Sequence, residues 1–259
     1  MCVHIYSRVK LVFCRVIIME LRSDLSLAHV VDSSTIPFVD SPIQGVERRM
    51  LDRTGNEVAR ATTIVKYSPF ARFPRHTHGG GEEFVILDGV FSDDLSGDHG
   101  PMSYCRHGID TTHEPWTGEQ GALLLVKLRQ MNDRTEAPIT IVDTEISTDW
   151  KRTSNDDKRQ RLDLFSNANT GETVWMERWE AGFHSDEWIV GEGGEEIFVL
   201  KGDFSFANVD GTTDENNKHS CKEGYWIRRP LSWSGRKFRI QTENGCQLFI
   251  KTGHLAMKL

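Results

Sequence analysis

Thr62–Tyr67, Val85–Leu87 and Leu123–Leu128 are short runs rich in apolar and β-branched residues. Runs of this kind predict strands. Asp88-Gly89, directly after the second run, predicts a tight hairpin turn. No long apolar stripe of period 3.6 with capping residues is present, and only Leu21–Val30 and the polar Asp149–Arg161 leave room for a short helix. Many short strands separated by glycine-rich turns predict an all-β chain, built as a sandwich or a barrel.

The pattern repeats. Gly80–Ser92 recurs without a gap as Gly193–Ser205, with Gly-Gly-Glu-Glu at the head of each copy. Val31-Asp32 is echoed by Val142-Asp143, Trp116-Thr117-Gly118 by Trp233-Ser234-Gly235, and Gly121–Lys127 by Gly245–Lys251. The chain therefore reads as two copies of one unit of roughly 100 residues, a usual domain size. The polar stretch Asn132–Pro138 marks the break. The expected division is an extension over 1–28, a first unit over 29–131, a linker over 132–139 and a second unit over 140–259. Leu11–Met19 is apolar but short and interrupted by Arg15, so it neither spans a bilayer nor forms a clear signal peptide. Met19 is the preferred start, with 1–18 an extension or an extra edge strand.

Composition narrows the class. Of the 259 residues 38% are hydrophobic and 27% charged, as in soluble globular proteins, and the net charge of -7 comes without a basic patch. Nucleic acid and acidic membrane surfaces are thereby unexpected partners. The five cysteines are scattered and include no Cys-x-x-Cys, which argues against a disulfide framework and points to the cytoplasm.

The candidate chemistry lies in His76-Thr77-His78-Gly79-Gly80-Gly81-Glu82-Glu83. On a strand, residues i and i+2 share a face, so His76 and His78 aim at one point. The glycines let the chain bend until Glu82 joins them. Imidazole with carboxylate suits a divalent transition metal. Alternation along the next strand puts Glu82 and Glu83 on opposite faces. No Lys-Ser/Thr follows the glycines, so this is not a phosphate loop. Asp93-Asp94 reads as a solvated hairpin tip. Phe70, Phe73, Phe84 and Tyr104 are candidate cavity linings. Glu83, Glu114 and Tyr104 are conceivable acid–base groups, none singled out, so the catalytic residues stay unknown.

These residues resemble the cupin superfamily. The first cupin motif has His-x-His, three or four residues, Glu, six residues and Gly, matched here by His76, His78, Glu82 and Gly89. Its usual leading glycine is absent. The second motif brings a histidine on a later strand, and His113 stands in that place, with His107 and His99 as rivals on the same connection. Gly-Gly-Glu-Glu, an apolar strand and Gly-x-Phe-Ser resemble more closely the ChrR-like cupin of an anti-sigma factor, here in duplicate. The helical zinc module of those factors, with its His-x3-Cys-x2-Cys motif, is not found, so anti-sigma activity is not implied. The resemblance implies two tandem double-stranded β-helix (jelly-roll) barrels. It also implies one divalent metal, Fe(II) or Zn(II), held in the first by His76, His78, Glu82 and His113.

The second copy keeps Glu195 but not the histidines. The gapless match puts Ile189 and Gly191 in their places and Pro230 near that of His113; anchoring on Phe183 puts Asp186 and Trp188 there instead. A separate site from His184, Asp186 and Glu187 is the lesser reading. The greater is a structural unit filled by side chains such as Trp188 and Ile189, with Arg178, Arg228 or Arg229 neutralising Glu195. Trp116, Trp175, Trp179, Trp226 and Trp233 read mainly as core. The functional expectation is a non-haem iron dioxygenase for a small oxygenated substrate, a β-diketone or hydroxylated aromatic ketone. A zinc-binding sensor or ligand-binding module and a metal-dependent isomerase or lyase are the alternatives. A small-molecule ligand and a homodimer complete the expectation.

Overall fold

The computed structural model describes residues 19–153, 158–209 and 218–256. The extension proper, 1–18, lies outside them. The described chain is all β apart from single 3-10 turns. The expected short helices are not formed: 21–30 holds turns between Glu20–Leu21 and His29–Asp32, and the described part of 149–161 lies in strands and turns. Neither segment has the apolar period and caps that make a short helix stable on its own.

Two jelly-roll barrels follow each other. In the nine-stranded sheet, Val46–Thr54, Arg60–Tyr67, Pro115–Leu128, Glu82–Asp93 and Ser103–His107 lie side by side. The hairpin of His76–His78 with Thr111–His113 closes this barrel. In the ten-stranded sheet, Arg159–Asn167, Glu172–Trp179, Cys246–Thr252, Glu195–Asn208 and Tyr225–Arg229 repeat the order, and His184–Ile189 pairs with Lys237–Gln241. Glu82 faces Leu128 and His107 across the ladders as Glu195 faces Thr252 and Arg229. The two copies therefore superpose strand by strand in register.

Sheet membership crosses the sequence boundaries. His29–Asp32 pairs with Tyr225–Arg229 of the second barrel, and Ile139–Asp143 pairs with Ser103–His107 of the first. Each unit lends its leading strand to the other. The echo of Val31-Asp32 in Val142-Asp143 is this exchange seen in sequence, since Val31 faces Trp226 as Val142 faces Tyr104.

The predicted hairpin at Asp88-Gly89 is not made. Glu82–Asp93 runs on as one strand, with a bulge opposite Leu123/Leu124. Gly89 has φ +74, and a Cβ there would lie 2.3 Å from the Gly121 carbonyl oxygen. Gly202 repeats this against Gly245, at 2.1 Å. Glycine serves here to let two backbones touch at a bend, not to turn a hairpin.

Three apolar cores result. Phe84, Ile86, Phe91, Leu124 and Val126 fill part of the first barrel. Trp175, Trp179, Phe183, Trp188, Phe204 and Phe238 fill the second. Between the barrels, Leu51, Val85, Tyr104 and Leu125 meet Leu162, Met176, Phe198, Trp226 and Phe249. Of the tryptophans read as core, Trp116 and Trp233 are only half-buried.

Candidate metal centre

Alternation on His76–His78 points both imidazoles inward, and the facing register sets His113 opposite His76. Thr77 and Thr112, on the other face, join their hydroxyls at 2.8 Å. The rings of His76, His78 and His113 surround one point, with centroids 4.6, 4.8 and 4.9 Å apart. The turn Gly79–Gly81 closes with the Gly81 N–H donating to the His78 carbonyl at 3.0 Å. It returns Glu82 to the same point: Glu82 Oε2 lies 3.3 Å from His78 Nε2 and 3.6 Å from His113 Nε2. The four residues named from sequence thus converge.

His107 converges with them. Its Nδ1 is 3.9 Å from Glu82 Oε2, and it forms a second potential metal-holding group with Glu82 and His113. His99 stands one step behind, reaching Ser96 Oγ at 2.8 Å, while Ser96 Oγ lies 3.1 Å from His107 Nε2.

Sequence reasoning missed Asp93. It is buried, not a solvated tip, and its Oδ2 accepts from His113 Nδ1 at 3.1 Å. Two residues of equal parity share a face, and 82 and 93 differ in parity. The bulge near Leu87 shifts the phase, as the placing of Phe84, Ile86 and Phe91 in one core records. The run Asp93-Asp94-Leu95-Ser96 carried the only signal, an Asx-type turn in which Leu95 and Ser96 N–H groups donate to Asp93 Oδ1 at 2.8 and 2.5 Å.

The hydrogen bonds fix ring orientation. His76 Nδ1–H donates to the Pro74 carbonyl at 2.8 Å, and His113 Nδ1–H to Asp93. In each neutral ring Nε2 then presents its lone pair inward. Burial lowers the pKa of His76 and His107 and brings that of His78 to about 4. Burial opposes charge on His113 too, but the Asp93 hydrogen bond and the Glu82 charge outweigh it and raise its pKa. Burial likewise opposes ionisation of Glu82, and the surrounding imidazoles, His78 foremost, bring its pKa below the usual value. His78 Nε2–H donates in turn to His113 Nε2 at 2.9 Å, and Glu82 is a carboxylate enclosed by these imidazoles. Its Oε2 and His107 Nδ1 have no hydrogen-bond partner. A buried unpartnered carboxylate oxygen is costly, and a cation among these donors would satisfy it. Such histidine-rich groups could hold a metal ion.

A cavity of about 350 Å³ opens over His76, His78 and Glu82. Val46, Val65, Phe73, Phe91, Leu124 and Val126 wall it, and Arg48, Glu57 and Arg129 also line it. Of the four aromatic candidates only Phe73 lines it. Phe70 is exposed, Phe84 is core, and Tyr104 sits between the barrels with its O–H donating to Glu83 Oε2 at 3.1 Å. Glu114 is half-buried and pairs with Arg72 at 3.4 Å.

In the second barrel apolar side chains take the place of the imidazoles, beside a smaller cavity of about 290 Å³ lined by Trp175, Trp188, Glu195 and Thr252, while Ile189 is exposed. Trp188 faces Phe238, where His76 faces His113, so Trp188 and Phe238 replace two imidazoles; Pro230 instead follows Arg229, the counterpart of His107. Arg229 Nη1 and Trp188 Nε1 donate to Glu195 Oε1 at 2.6 and 3.0 Å. The cation expected beside Glu195 is therefore Arg229. Asp186 and Glu187 pair outward with Arg239 and Lys237. Among the described residues, the groups able to hold a metal lie in the first barrel alone.

Residues 27–132 match the family described as the ChrR Cupin-like domain. A comparison with curated proteins finds no significant match. Solved structures share the fold across both barrels. A protein of Nostoc punctiforme described as a candidate dioxygenase is 15% identical, with TM-score 0.67 over 90% of this chain and 85% of its own. The salicylate 1,2-dioxygenase of Pseudoaminobacter salicylatoxidans, a W104Y mutant in complex with gentisate, is 11% identical, with TM-score 0.62 over 90% of this chain and 83% of its own. A cupin 2 conserved barrel domain protein of Leptotrichia buccalis is 8% identical, with TM-score 0.55 over 87% of this chain and 96% of its own. At these identities the likeness is one of fold.

Proposed function

We propose that this chain, a ChrR-like cupin domain within a duplicated cupin fold, is a non-haem iron-dependent dioxygenase for a small oxygenated organic substrate of β-diketone or hydroxylated aromatic ketone type. The observation that carries the reading is the buried, unpartnered Glu82 Oε2 among the inward nitrogens of His78, His113 and His107 at the floor of an apolar cavity. His76, His78, Glu82 and His113 would hold one Fe(II), with His107 beside them. Three neutral imidazoles and one carboxylate leave such an ion a net positive charge, and it would supply Lewis acidity and a meeting place for an enolate or phenolate and dioxygen.

The chain's own residues do the rest. Pro74 and Asp93 hold His76 and His113 in the tautomers that turn Nε2 inward. Val46, Val65, Phe73, Phe91 and Leu124 give the cavity an apolar wall that would seat an apolar substrate body. Glu83 takes no part, being tied to Lys251 and Arg106 on the far side of its strand. Iron-reconstituted protein should consume oxygen with a member of a panel of β-diketones and hydroxylated aromatic ketones, and His76→Ala should abolish the uptake. No uptake across the panel from fully iron-loaded protein would contradict the reading.

The ChrR Cupin-like match supports a second reading, a zinc-binding sensor or ligand-binding module without turnover. Zinc-loaded protein that binds panel members tightly and leaves them unchanged would favour it. We extend the proposal to a cytoplasmic homodimer. Scattered cysteines, with Cys105, Cys221 and Cys246 buried as free thiols, support the compartment. Sedimentation as a monomer at micromolar concentration would overturn the dimer.

A further inference from the structure

Arg129 stands at a backbone position that glycine would fill more easily. Its φ is +55, in the left-handed region. The counterpart in the second barrel is Gly253, at φ +84, one residue after Thr252 as Arg129 is one after Leu128. The surroundings repeat as well. Arg129 N–H donates to the Gly81 carbonyl at 3.0 Å, and Gly253 N–H to that of Gly194 at 3.3 Å. The fold asks for glycine here; the second barrel has it, and the barrel with the histidine cluster has arginine. Backbone strain held in place by its surroundings is a pointer to function.

The turn below is cleared for this side chain. A Cβ on Gly80 would lie 2.8 Å from Arg129 Cβ and 2.9 Å from its Cγ, and one on Gly79 would lie 3.5 Å from Arg129 Nη1. The side chain thus runs over Gly80 toward Gly79, and both Gly79 and Arg129 line the cavity that His76, His78 and Glu82 floor. No acid neutralises it among the described residues. Arg48, the other cation of this cavity, pairs with Glu57 at 3.2 Å, and Asp110, beside Gly79, is taken by Arg134.

We infer that Arg129 is a substrate-specificity residue, and that the ligand of this cavity carries a carboxylate which the Arg129 guanidinium holds at the mouth while its oxygenated end lies toward the histidines. The planar guanidinium fork matches a carboxylate and offers a neutral ketone far less. This rests on the cavity being the substrate site proposed above, and narrows the substrate to members of those classes that also carry a carboxylate.

The test is calorimetric titration of the full chain, metal-loaded and metal-free, with 2-hydroxybenzoate and 2-hydroxybenzamide, which differ little in size but carry and lack the charge. The expected result is a preference for the acid of about tenfold or more, retained without metal. Arg129→Gly should erase that preference, leave amide binding in place and melt at no lower temperature than the parent. Arg129→Gln should also erase the preference, and Arg129→Lys should restore part of it. Equal binding of the two probes by the parent, or a preference surviving in Arg129→Gly, would overturn the inference, as would a lower melting temperature of that variant, the mark of a structural role. An acid preference without oxygen uptake on any substrate would count against the dioxygenase reading alone.

Discussion

Asp93 is the residue on which the orientation of His113 depends. Its carboxylate accepts from His113 Nδ1 and is anchored by Ser96. Asp93→Asn removes the charge and frees the ring to turn. Outer-shell losses of this kind weaken metal binding by about 10–100-fold. We expect that drop in a chelator competition assay with the fold intact by circular dichroism, and an unchanged affinity would show that Asp93 does not position His113. Glu195→Gln should leave metal content unaltered, because Arg229 and Trp188 already occupy that carboxylate. At this scale much was legible. His76, His78 and Glu82 announce themselves because the two-residue period of a strand and a glycine turn are local properties. Asp93 and His107 were not legible as partners, because a bulge resets the parity of one and strand pairing alone brings in the other.

Among the elements, the long strands Glu82–Asp93 and Glu195–Asn208 decide the barrel shape. Each bends where a glycine of positive φ meets the neighbouring backbone. Gly89→Ala would cost roughly 1–2 kcal/mol from the left-handed backbone alone, and the overlap with the Gly121 carbonyl adds to it. Denaturant unfolding should show a loss larger than that backbone figure; a loss under about 0.5 kcal/mol, usual for a surface substitution, would mean that the bend is not rigid. Asp-Gly reads as a hairpin because the local chemistry of the two is the same. What separates them is a strand arriving from Pro115–Leu128, far along the chain. Strand existence was therefore legible for Thr62–Tyr67 and Leu123–Leu128, while the continuity of Glu82–Asp93 was not.

At the scale of the molecule, the second glutamate of each Gly-Gly-Glu-Glu joins the barrels. Glu83 meets Lys251, and Glu196 meets Lys127. Arg106 reaches Glu172 at 2.8 Å and Arg228 reaches Asp52 at 3.1 Å, each across the interface. With Glu136 and Arg60, this buried set balances acids against bases. Removing one member strands another, which costs roughly 3–5 kcal/mol. Lys251→Met should lose about that much by denaturant unfolding, and a neutral outcome would mean that water reaches the interface. Acid should act on the same surface. Burial opposes ionisation of Glu83, but Lys251 and Arg106 outweigh it and hold its pKa at about 2. Its contribution is present above the unfolded value and fades as pH falls through that value toward 2. Burial lowers the pKa of His254 to about 4, so its neutral form favours folding, and stability drops as pH falls below the unfolded value of about 6.5. Melting temperature should decline from near pH 6.5 downward, and a flat profile to pH 4 would contradict this account. The duplication was legible as a gapless repeat. The exchange of leading strands and the crossed ion pairs were not, since they join residues that no local pattern relates.

The central claim is that the first barrel alone holds a metal, through His76, His78, Glu82 and His113. Elemental mass spectrometry of the full chain, purified without chelator or added metal, tests it directly beside Glu82→Gln and His76→Ala. The account predicts about one transition-metal ion per chain in the parent and near none in either variant, because ligand loss and metal loss are coupled. Undiminished metal in a folded Glu82→Gln protein, or about two ions per chain in the parent, would contradict it.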